Sequence, residues 1–321
     1  MISYFETSAV NYMTDRFSIG DAIATKAFQE VRGRKWIISP VAIWEILLTT
    51  DDERKEELIY FSQHLFHEEL MPSPEEMVVK YIEQDCPLVE KERPLISEFS
   101  LAETWRDLCE TPQKTFIYDK EGLKKKNKII VDINKTLHVI TKSRDIITDL
   151  EDPTIGTDIS LERMVDNLSW VKKGEHITAE DRKVYKLSIY FMLTMLCAEV
   201  GVDPETTKRF WDKIGINGTA ERAHYLMKHH ETLVHRGPIV QMAYMTLAQS
   251  KGKYSRGMYW DSLHSFYLTY VDFLFSEDEH FQVLKESLGD HPNALKIHKL
   301  SEAEWSFQDR ENHVKDSPIH T

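Results

Sequence analysis

The first thirteen residues, MISYFETSAVNYM (1–13), determine how the rest of the chain is interpreted. Ile2 to Phe5 are β-branched and aromatic without a helical period, which predicts a short strand. Thr7 and Ser8 then predict the start of a helix. Glu6 therefore falls at the carboxyl end of a first strand, the place where ligands bind in open α/β sheets. The alternative interpretation is that Glu6 only complements the dipole of the helix that follows.

A second stretch, RKWIISPVAIWEILLTT (34–50), repeats this arrangement. Trp36–Ser39 is predicted to be a strand, and Pro40 suits the first position of a helix. Glu45 is the one acidic residue in that apolar helix, where a carboxylate is costly unless something compensates it. We expect Glu45 to reach the edge at which the second strand ends. Alternatively, it lies on an exposed polar stripe of the helix.

The third stretch, SRGMYWDSLHSFYLTYVDFLFSEDEHF (255–281), lies near the other end of the chain. It predicts a helix that starts at Asp261 and runs to about Tyr270, followed by a strand in VDFLFS. Ser276 and Asp278 come at the end of that strand. In a βαβ unit the helix starts at the edge where the next strand finishes, so both acidic residues should lie on one edge of the sheet.

Four carboxylates are thereby predicted to converge: Glu6, Glu45, Asp261 and Asp278. Like charges this close raise one another's pKa values unless cations bind among them. Carboxylate oxygens suit Mg²⁺ or Mn²⁺, with substrate phosphates completing the shell. The sequence therefore predicts a divalent-metal site at this edge.

Composition limits the class of protein. The 321 residues are 41% hydrophobic, enough for a substantial core, and the net charge of −13 argues against a protein that coats nucleic acid through bulk charge. Cys86, Cys109 and Cys197 show no paired spacing, which predicts a reduced, cytoplasmic environment without a zinc site. The longest apolar run, LSIYFMLTMLCAEVGV (187–202), is too short for a membrane span and carries Glu199, so we expect a buried helix and no membrane association.

From about residue 96 to 250 helical patterns dominate. One segment, KKKNKIIVDINKTLHVITKSRD (124–145), instead suggests a strand or hairpin, and it is basic within an acidic protein. Such a run is either a solvated face or a surface that follows phosphates. The basic residues are Lys124, Lys125, Lys126, Lys128, Lys135, Lys142 and Arg144.

The chain resembles the PIN-domain nucleases in segments near both ends. YFETSAVN (4–11) is similar to their opening strand–Asp–Thr–Ser motif, with glutamate in place of aspartate, and ISPVAIWEIL (38–47) is similar to their second strand and acidic helix. WDSLHSFYLTYVDFLFSEDEHF (260–281) resembles the closing motif, and ALKIHKLSEAEW (294–305) resembles the final edge strand. The likeness covers about residues 1–80 and 255–305.

This resemblance implies a three-layer α/β/α fold with a mainly parallel sheet and an α-helical insertion. Residues 1–95 and 251–321 would then form the two parts of a PIN-like domain, and residues 96–250 the mainly helical insertion. The insertion is a candidate binding surface for a protein partner.

The resemblance also implies a metal-dependent endonuclease that acts on RNA or single-stranded nucleic acid. Glu6, Glu45, Asp261 and Asp278 would be the catalytic metal ligands for Mg²⁺ or Mn²⁺, and Ser276 would hydrogen-bond a carboxylate or a phosphate. The expected substrate-binding cations are Lys251, Lys253, Arg256, Lys124, Lys125 and Lys126. The alternative function is a catalytically silent scaffold that binds other proteins.

Overall fold

The computed structural model describes residues 1–84, 101, 103, 120–142, 160–197, 202–235, 237–251 and 257–302. The strands are β1 (Ile2–Phe5), β2 (Lys35–Ile37), β3 (Phe273–Phe275) and β4 (Ile297–His298). The helices of the first part are α1 (Thr7–Arg16), α2 (Ile19–Val31), α3 (Pro40–Leu47), α4 (Asp52–Leu65) and α5 (Pro74–Gln84). The central helices are α6 (Lys120–Lys142), α7 (Leu161–Asp166), α8 (Ser169–Lys172), α9 (Ala179–Leu196), α10 (Pro204–Ile214), α11 (Thr219–His229) and α12 (Pro238–Ser250). The last helices are α13 (Met258–Ser265) and α14 (Glu279–Leu288), with 3₁₀ turns at Glu231–Val234, Phe266–Thr269 and Pro292–Lys296.

The four strands form one parallel sheet in the order β2-β1-β3-β4. Ser3 is in register with Trp36 on β2 and with Phe273 on β3, so the first and third predicted strands are direct neighbours. The short strand β4 lies at the edge, beside β3. Because all four strands run the same way, β1, β2 and β3 end at one edge of the sheet, which we call the carboxyl edge.

Helices cover both faces of the sheet. Side chains alternate between the faces along each strand, so Tyr4 belongs to one buried cluster and Phe5 to the other. Helices α1, α2, α3 and α4 pack on the Phe5 side. The Tyr4 side carries a larger cluster that includes α6, α9, α12 and α13. The protein is therefore an α/β protein with helices on both sides of a parallel sheet.

The central helices share a continuous buried core with the sheet. Leu137 of α6, Phe191 of α9 and Met242 of α12 are fully buried in the same cluster as Tyr4 and Leu274 of the strands. The predicted helical character of this block is confirmed for its described residues. Its assignment as an insertion, with boundaries near residues 95 and 250, stays a prediction.

The strand or hairpin predicted in residues 124–145 is wrong, because Lys120–Lys142 is a single helix of 23 residues. Its buried apolar residues are Ile130, Ile133, Leu137 and Ile140, a spacing of three and four that places them on one helical face. The run of β-branched residues resembles a strand locally. Packing against α9, α12 and α13 determines that this segment is helical.

Two predicted boundaries also need correction. The second strand ends at Ile37, and Ser39 instead caps α3 by accepting a hydrogen bond from the Ala42 amide at 3.5 Å. The helix predicted to begin at Asp261 begins at Met258, which places Asp261 in its first turn, and it continues from Ser265 only as a 3₁₀ turn. In the described parts of the chain, each helix is too short or too polar to cross a membrane.

Candidate metal centre

Glu6 follows β1 directly, and its carboxylate lies at the carboxyl edge with only 4% of the residue exposed. One oxygen, Oε1, accepts the backbone N–H of Ser8 at 2.9 Å. The other, Oε2, accepts the hydroxyls of Ser8 and of Ser276, the latter at 2.9 Å. Glu6 is therefore the N-cap of α1, and it also connects the ends of β1 and β3.

Glu45 reaches the same edge from the second turn of α3. Its Oε2 accepts the Thr7 hydroxyl at 2.5 Å and the Nε2 of His264 at 2.6 Å. Since Thr7 opens α1 and His264 lies on α13, these bonds join three helices around one carboxylate. The prediction that Glu45 reaches the edge is thus realised in the structure, and the exposed-stripe alternative is wrong, because the side chain is only 19% exposed.

His264 is fully buried, and both of its ring nitrogens have protein partners. Its Nδ1 contacts the hydroxyl of Tyr4, which in turn lies 2.8 Å from the Ser39 hydroxyl. The pKa of His264 lies above its ordinary value: burial opposes the charge, but the carboxylates of Glu45 and Glu6 favour it more strongly.

Asp261 comes from the first turn of α13 and is 5% exposed. Its Oδ2 accepts the side-chain amide of Gln249 at 2.5 Å and the Nδ1 of His280 at 3.2 Å. Burial raises the pKa of Asp261 to about 7, although the bond from His280 favours ionisation. The charges of Asp278, Glu6 and Glu45 contribute to the same increase in this pKa.

Asp278 caps α14, since its Oδ1 accepts the backbone N–H of His280 at 2.8 Å. The Nδ1 of the same histidine lies 3.2 Å from that oxygen, so His280 sits between Asp278 and Asp261. The hydrogen bond with Asp261 raises the pKa of His280.

The carboxylates form two neighbouring groups, each with one histidine. The first consists of Glu6, Glu45 and His264, and the second of Asp261, Asp278 and His280; within each group the candidate ligand atoms lie within 4.8 Å of one another. The groups interact, because Glu6 and Glu45 both contribute to the raised pKa of Asp261. Burial also raises the pKa of Glu6, with a further contribution from Glu45 that His264 opposes. Burial and mutual repulsion therefore both oppose negative charge on Glu6 and Asp261 at the carboxyl edge.

Hydrogen bonds from the described residues leave some of the carboxylate oxygens at this edge without a donor. Those donated to Glu45, Asp261 and Asp278 all end on a single oxygen of each carboxylate: Oε2, Oδ2 and Oδ1, respectively. The second oxygen of each can therefore face a cation. Glu6 differs, since both of its oxygens accept hydrogen bonds.

The predicted substrate-binding cations fall in different places. Lys251 is exposed at the C-terminus of α12, two residues after the Gln249 that contacts Asp261. Lys124, Lys125 and Lys126 belong to the first turns of α6, and the structure describes only their backbone. Lys253 and Arg256 lie outside the described residues.

The sequence interpretation did not identify His264 and His280. A signal for each was present: His264 lies three residues after Asp261, one helical turn along an apolar stretch, where a polar ring needs a partner. His280 lies two residues after Asp278, at the start of a helix whose first turn faces the carboxyl edge. No family model, curated protein or solved structure matches this chain.

Proposed function

We propose that this protein is a divalent-metal-dependent endonuclease of the PIN-like type, which hydrolyses phosphodiester bonds in RNA or single-stranded nucleic acid. One observation carries the proposal. Three carboxylates from three separate elements, Glu45, Asp261 and Asp278, each have one oxygen held by protein donors and the other available at the carboxyl edge. Donors on one oxygen fix the direction of a carboxylate, as the outer partners of metal ligands do.

The donor set fits Mg²⁺ or Mn²⁺. Both ions prefer carboxylate oxygens. The raised pKa values of Glu6 and Asp261 show that burial and mutual repulsion oppose ionisation of these groups, an arrangement that a bound cation relieves. A divalent ion at such a site supplies charge that activates water and stabilises the phosphodiester transition state.

The residues of the chain have separate tasks in this proposal. Glu45, Asp261 and Asp278 hold the ion through their available oxygens. Glu6 adds negative charge while it caps α1, and Ser276 fixes Glu6 at the end of β3. The position of glutamate where the resembled family has aspartate places an additional methylene between β1 and the carboxylate.

Cations around the end of α12 support a nucleic-acid substrate. Lys142 at the end of α6 donates to the backbone oxygen of Ser250 at 2.5 Å, and Lys251 contacts Ser287 on α14 at 3.3 Å. Lys142 therefore reaches the C-terminus of α12, and Lys251, the residue that follows α12, reaches the last turn of α14. Cations on this side of the protein suit the phosphates of a nucleic-acid backbone.

A cleavage assay tests the proposal. Purified protein is incubated with single-stranded RNA and, separately, with structured RNA, in Mn²⁺, in Mg²⁺ and in chelator. We expect cleavage with metal and none in chelator. Asp261→Asn and Asp278→Asn should each abolish cleavage while leaving the fold intact, because each removes ligand charge at nearly constant volume.

Asp290→Asn is the matched control, since Asp290 is an exposed residue after α14. Persistent cleavage in both site variants would show that the activity belongs to another site or to a contaminant. If the protein neither cuts nor gains melting temperature with Mn²⁺, the proposal fails and the catalytically silent scaffold becomes the better account.

A further inference from the structure

A chain of buried polar groups runs from the sheet to Glu45. It starts at the Ser39 hydroxyl, which lies 2.8 Å from that of Tyr4. The Tyr4 hydroxyl contacts Nδ1 of His264, and the Nε2 of His264 lies 2.6 Å from Oε2 of Glu45. Ser39, Tyr4 and His264 are each 0% exposed, so water does not compete for these bonds.

The direction of the last bond does not depend on the charge of the imidazole. In the neutral ring, Tyr4 donates to Nδ1, and the proton on Nε2 is donated to Glu45. In the charged ring, Nδ1 donates to Tyr4, Tyr4 donates onward to Ser39, and Nε2 still donates to Glu45. Burial holds the pKa of Tyr4 well above its ordinary value, so its hydroxyl keeps its proton in both cases.

Two donors thus occupy the same oxygen of Glu45, one from His264 and one from Thr7. A carboxylate held at one oxygen from two directions loses its freedom to rotate about its terminal bond. Its other oxygen then points in a fixed direction. Because both ring nitrogens of His264 already have partners, the ring is better suited to hold a ligand than to be one.

We propose that His264, fixed by Tyr4, is a positioning residue that orients Glu45 for the metal ion. The inference rests on the proposed function, since it concerns the same metal site. It assigns a role in metal affinity, in addition to packing, to the buried pair formed by Tyr4 on β1 and His264 on α13. Outer partners of this kind typically change metal affinity by about 10–100-fold.

Direct measurement of Mn²⁺ affinity tests this inference without reference to cleavage. Mn²⁺ binding is measured by calorimetry, and by the loss of the free-ion electron paramagnetic resonance signal, on full-length wild-type protein and variants. His264→Leu removes both nitrogens and should weaken Mn²⁺ binding by about 10–100-fold. His264→Gln places an amide nitrogen near the position of Nε2, so it should restore part of the lost affinity.

Tyr4→Phe provides a milder second variant in case His264→Leu does not fold. It removes a single hydroxyl, leaves the ring of His264 in place, and should weaken Mn²⁺ binding severalfold. Tyr259→Phe is the matched control: Tyr259 is 1% exposed on the same helix as His264, and its hydroxyl has no hydrogen-bond partner among the described residues. Its Mn²⁺ affinity should equal that of the wild type.

The outcomes separate the two proposals. If wild-type protein does not bind Mn²⁺, the metal site and this inference both fail. If the wild type binds Mn²⁺ and Tyr4→Phe, together with His264→Leu if that variant folds, binds it equally well, the endonuclease proposal survives and the positioning role is overturned. Weakened binding in a variant whose melting temperature without metal equals that of the wild type, compensated by excess Mn²⁺ in the cleavage assay, would support the inference, because the defect then lies in metal affinity and not in folding.

Discussion

The hydroxyl of Ser276 donates to Glu6 Oε2 at 2.9 Å and also accepts the backbone N–H of Asp278 at 3.0 Å. One side chain at the end of β3 thereby joins the carboxylate that follows β1 to the start of α14. Ser276 is 0% exposed, so loss of its hydroxyl would leave a buried carboxylate and a backbone N–H each short of a partner.

Ser276→Ala should therefore lower the free energy of unfolding by about 1–3 kcal/mol. It should also weaken Mn²⁺ binding, because Glu6 is no longer fixed to β3. Chemical denaturation and calorimetry measure the two effects. Ser188→Ala is the matched control, as Ser188 is equally buried and its hydroxyl has no hydrogen-bond partner among the described residues. Equal losses of stability in the two variants would contradict the bridging role of Ser276.

Substitution at Glu6 separates its two roles. Glu6→Gln keeps a side-chain oxygen that can accept the Ser8 N–H, so the cap on α1 should persist, although its amide nitrogen replaces the oxygen that accepts the Ser8 and Ser276 hydroxyls. Cleavage should fall to background, because the negative charge is gone. Glu6→Asp keeps the charge on a shorter arm and should retain measurable activity. An active Glu6→Gln enzyme would show that this carboxylate is structural.

The stability of the metal-free protein should depend on pH through Asp261. Its pKa is about 7 in the folded protein and roughly 3.9 in an unfolded chain. Between these values the folded state holds a proton that the unfolded state has lost, so rising pH removes stability. Asp261→Asn abolishes this titration, and its melting temperature should exceed that of the wild type by a margin that grows from pH 5 to pH 8.

The raised pKa of His264 acts in the same direction, since the stability it contributes is lost as pH rises through its folded value. Asp261→Asn also removes the part of the raised pKa of His264 and of His280 that the Asp261 carboxylate causes, and these parts have the same sign, so the margin measures the carboxylate together with its effect on both histidines. Thermal melts in chelator across this pH range give the result. A margin that shrinks as pH rises would contradict the placement of Asp261 in a buried acidic edge.

The lysines around the end of α12 should contribute to the salt dependence of substrate binding. Lys142→Gln and Lys251→Gln should each weaken binding to single-stranded RNA, and each lost phosphate contact should reduce the slope of log affinity against log salt by roughly 0.7. Fluorescence anisotropy across a salt titration measures both quantities. Lys173→Gln, at an exposed residue after α8, should leave the slope unchanged.

Charge reversal of Lys124–Lys126 gives an independent comparison. These residues lie at the opposite end of α6 from Lys142, about 27 Å away along the helix axis. If they also bind substrate, their reversal should weaken binding and flatten the salt dependence while metal binding stays unchanged. Unchanged affinity across the titration would make this run a solvated face and confine the contact surface to the Lys142 end.

Most of the sheet could be predicted from local sequence. The strand that ends before Glu6, the capped helix after Pro40 and the strand in VDFLFS each have a strong short-range signal. Their neighbouring positions then followed from the geometry of parallel βαβ units. This is why the first and third strands were expected to share an edge although about 270 residues separate them.

The histidine partners and the character of residues 124–145 could not be obtained in the same way. The β-branched run in α6 is locally ambiguous, and its helical state depends on contacts with helices distant in the chain. The pairing of His264 with Glu45 likewise joins residues 219 positions apart. Sequence spacing predicts which residues lie at the carboxyl edge. Which histidine nitrogen contacts which carboxylate oxygen there depends on the packing of distant helices.

A crystal structure of the protein soaked in Mn²⁺, with data collected at the manganese absorption edge, tests the central claim most directly. We predict an anomalous difference peak at the carboxyl edge, bonded to the available oxygen of Asp261 and to that of Glu45 or Asp278. That peak should disappear in Asp261→Asn. A fully soaked crystal with no peak at this edge, or with manganese bound only elsewhere, would contradict the metal site and the nuclease function proposed from it.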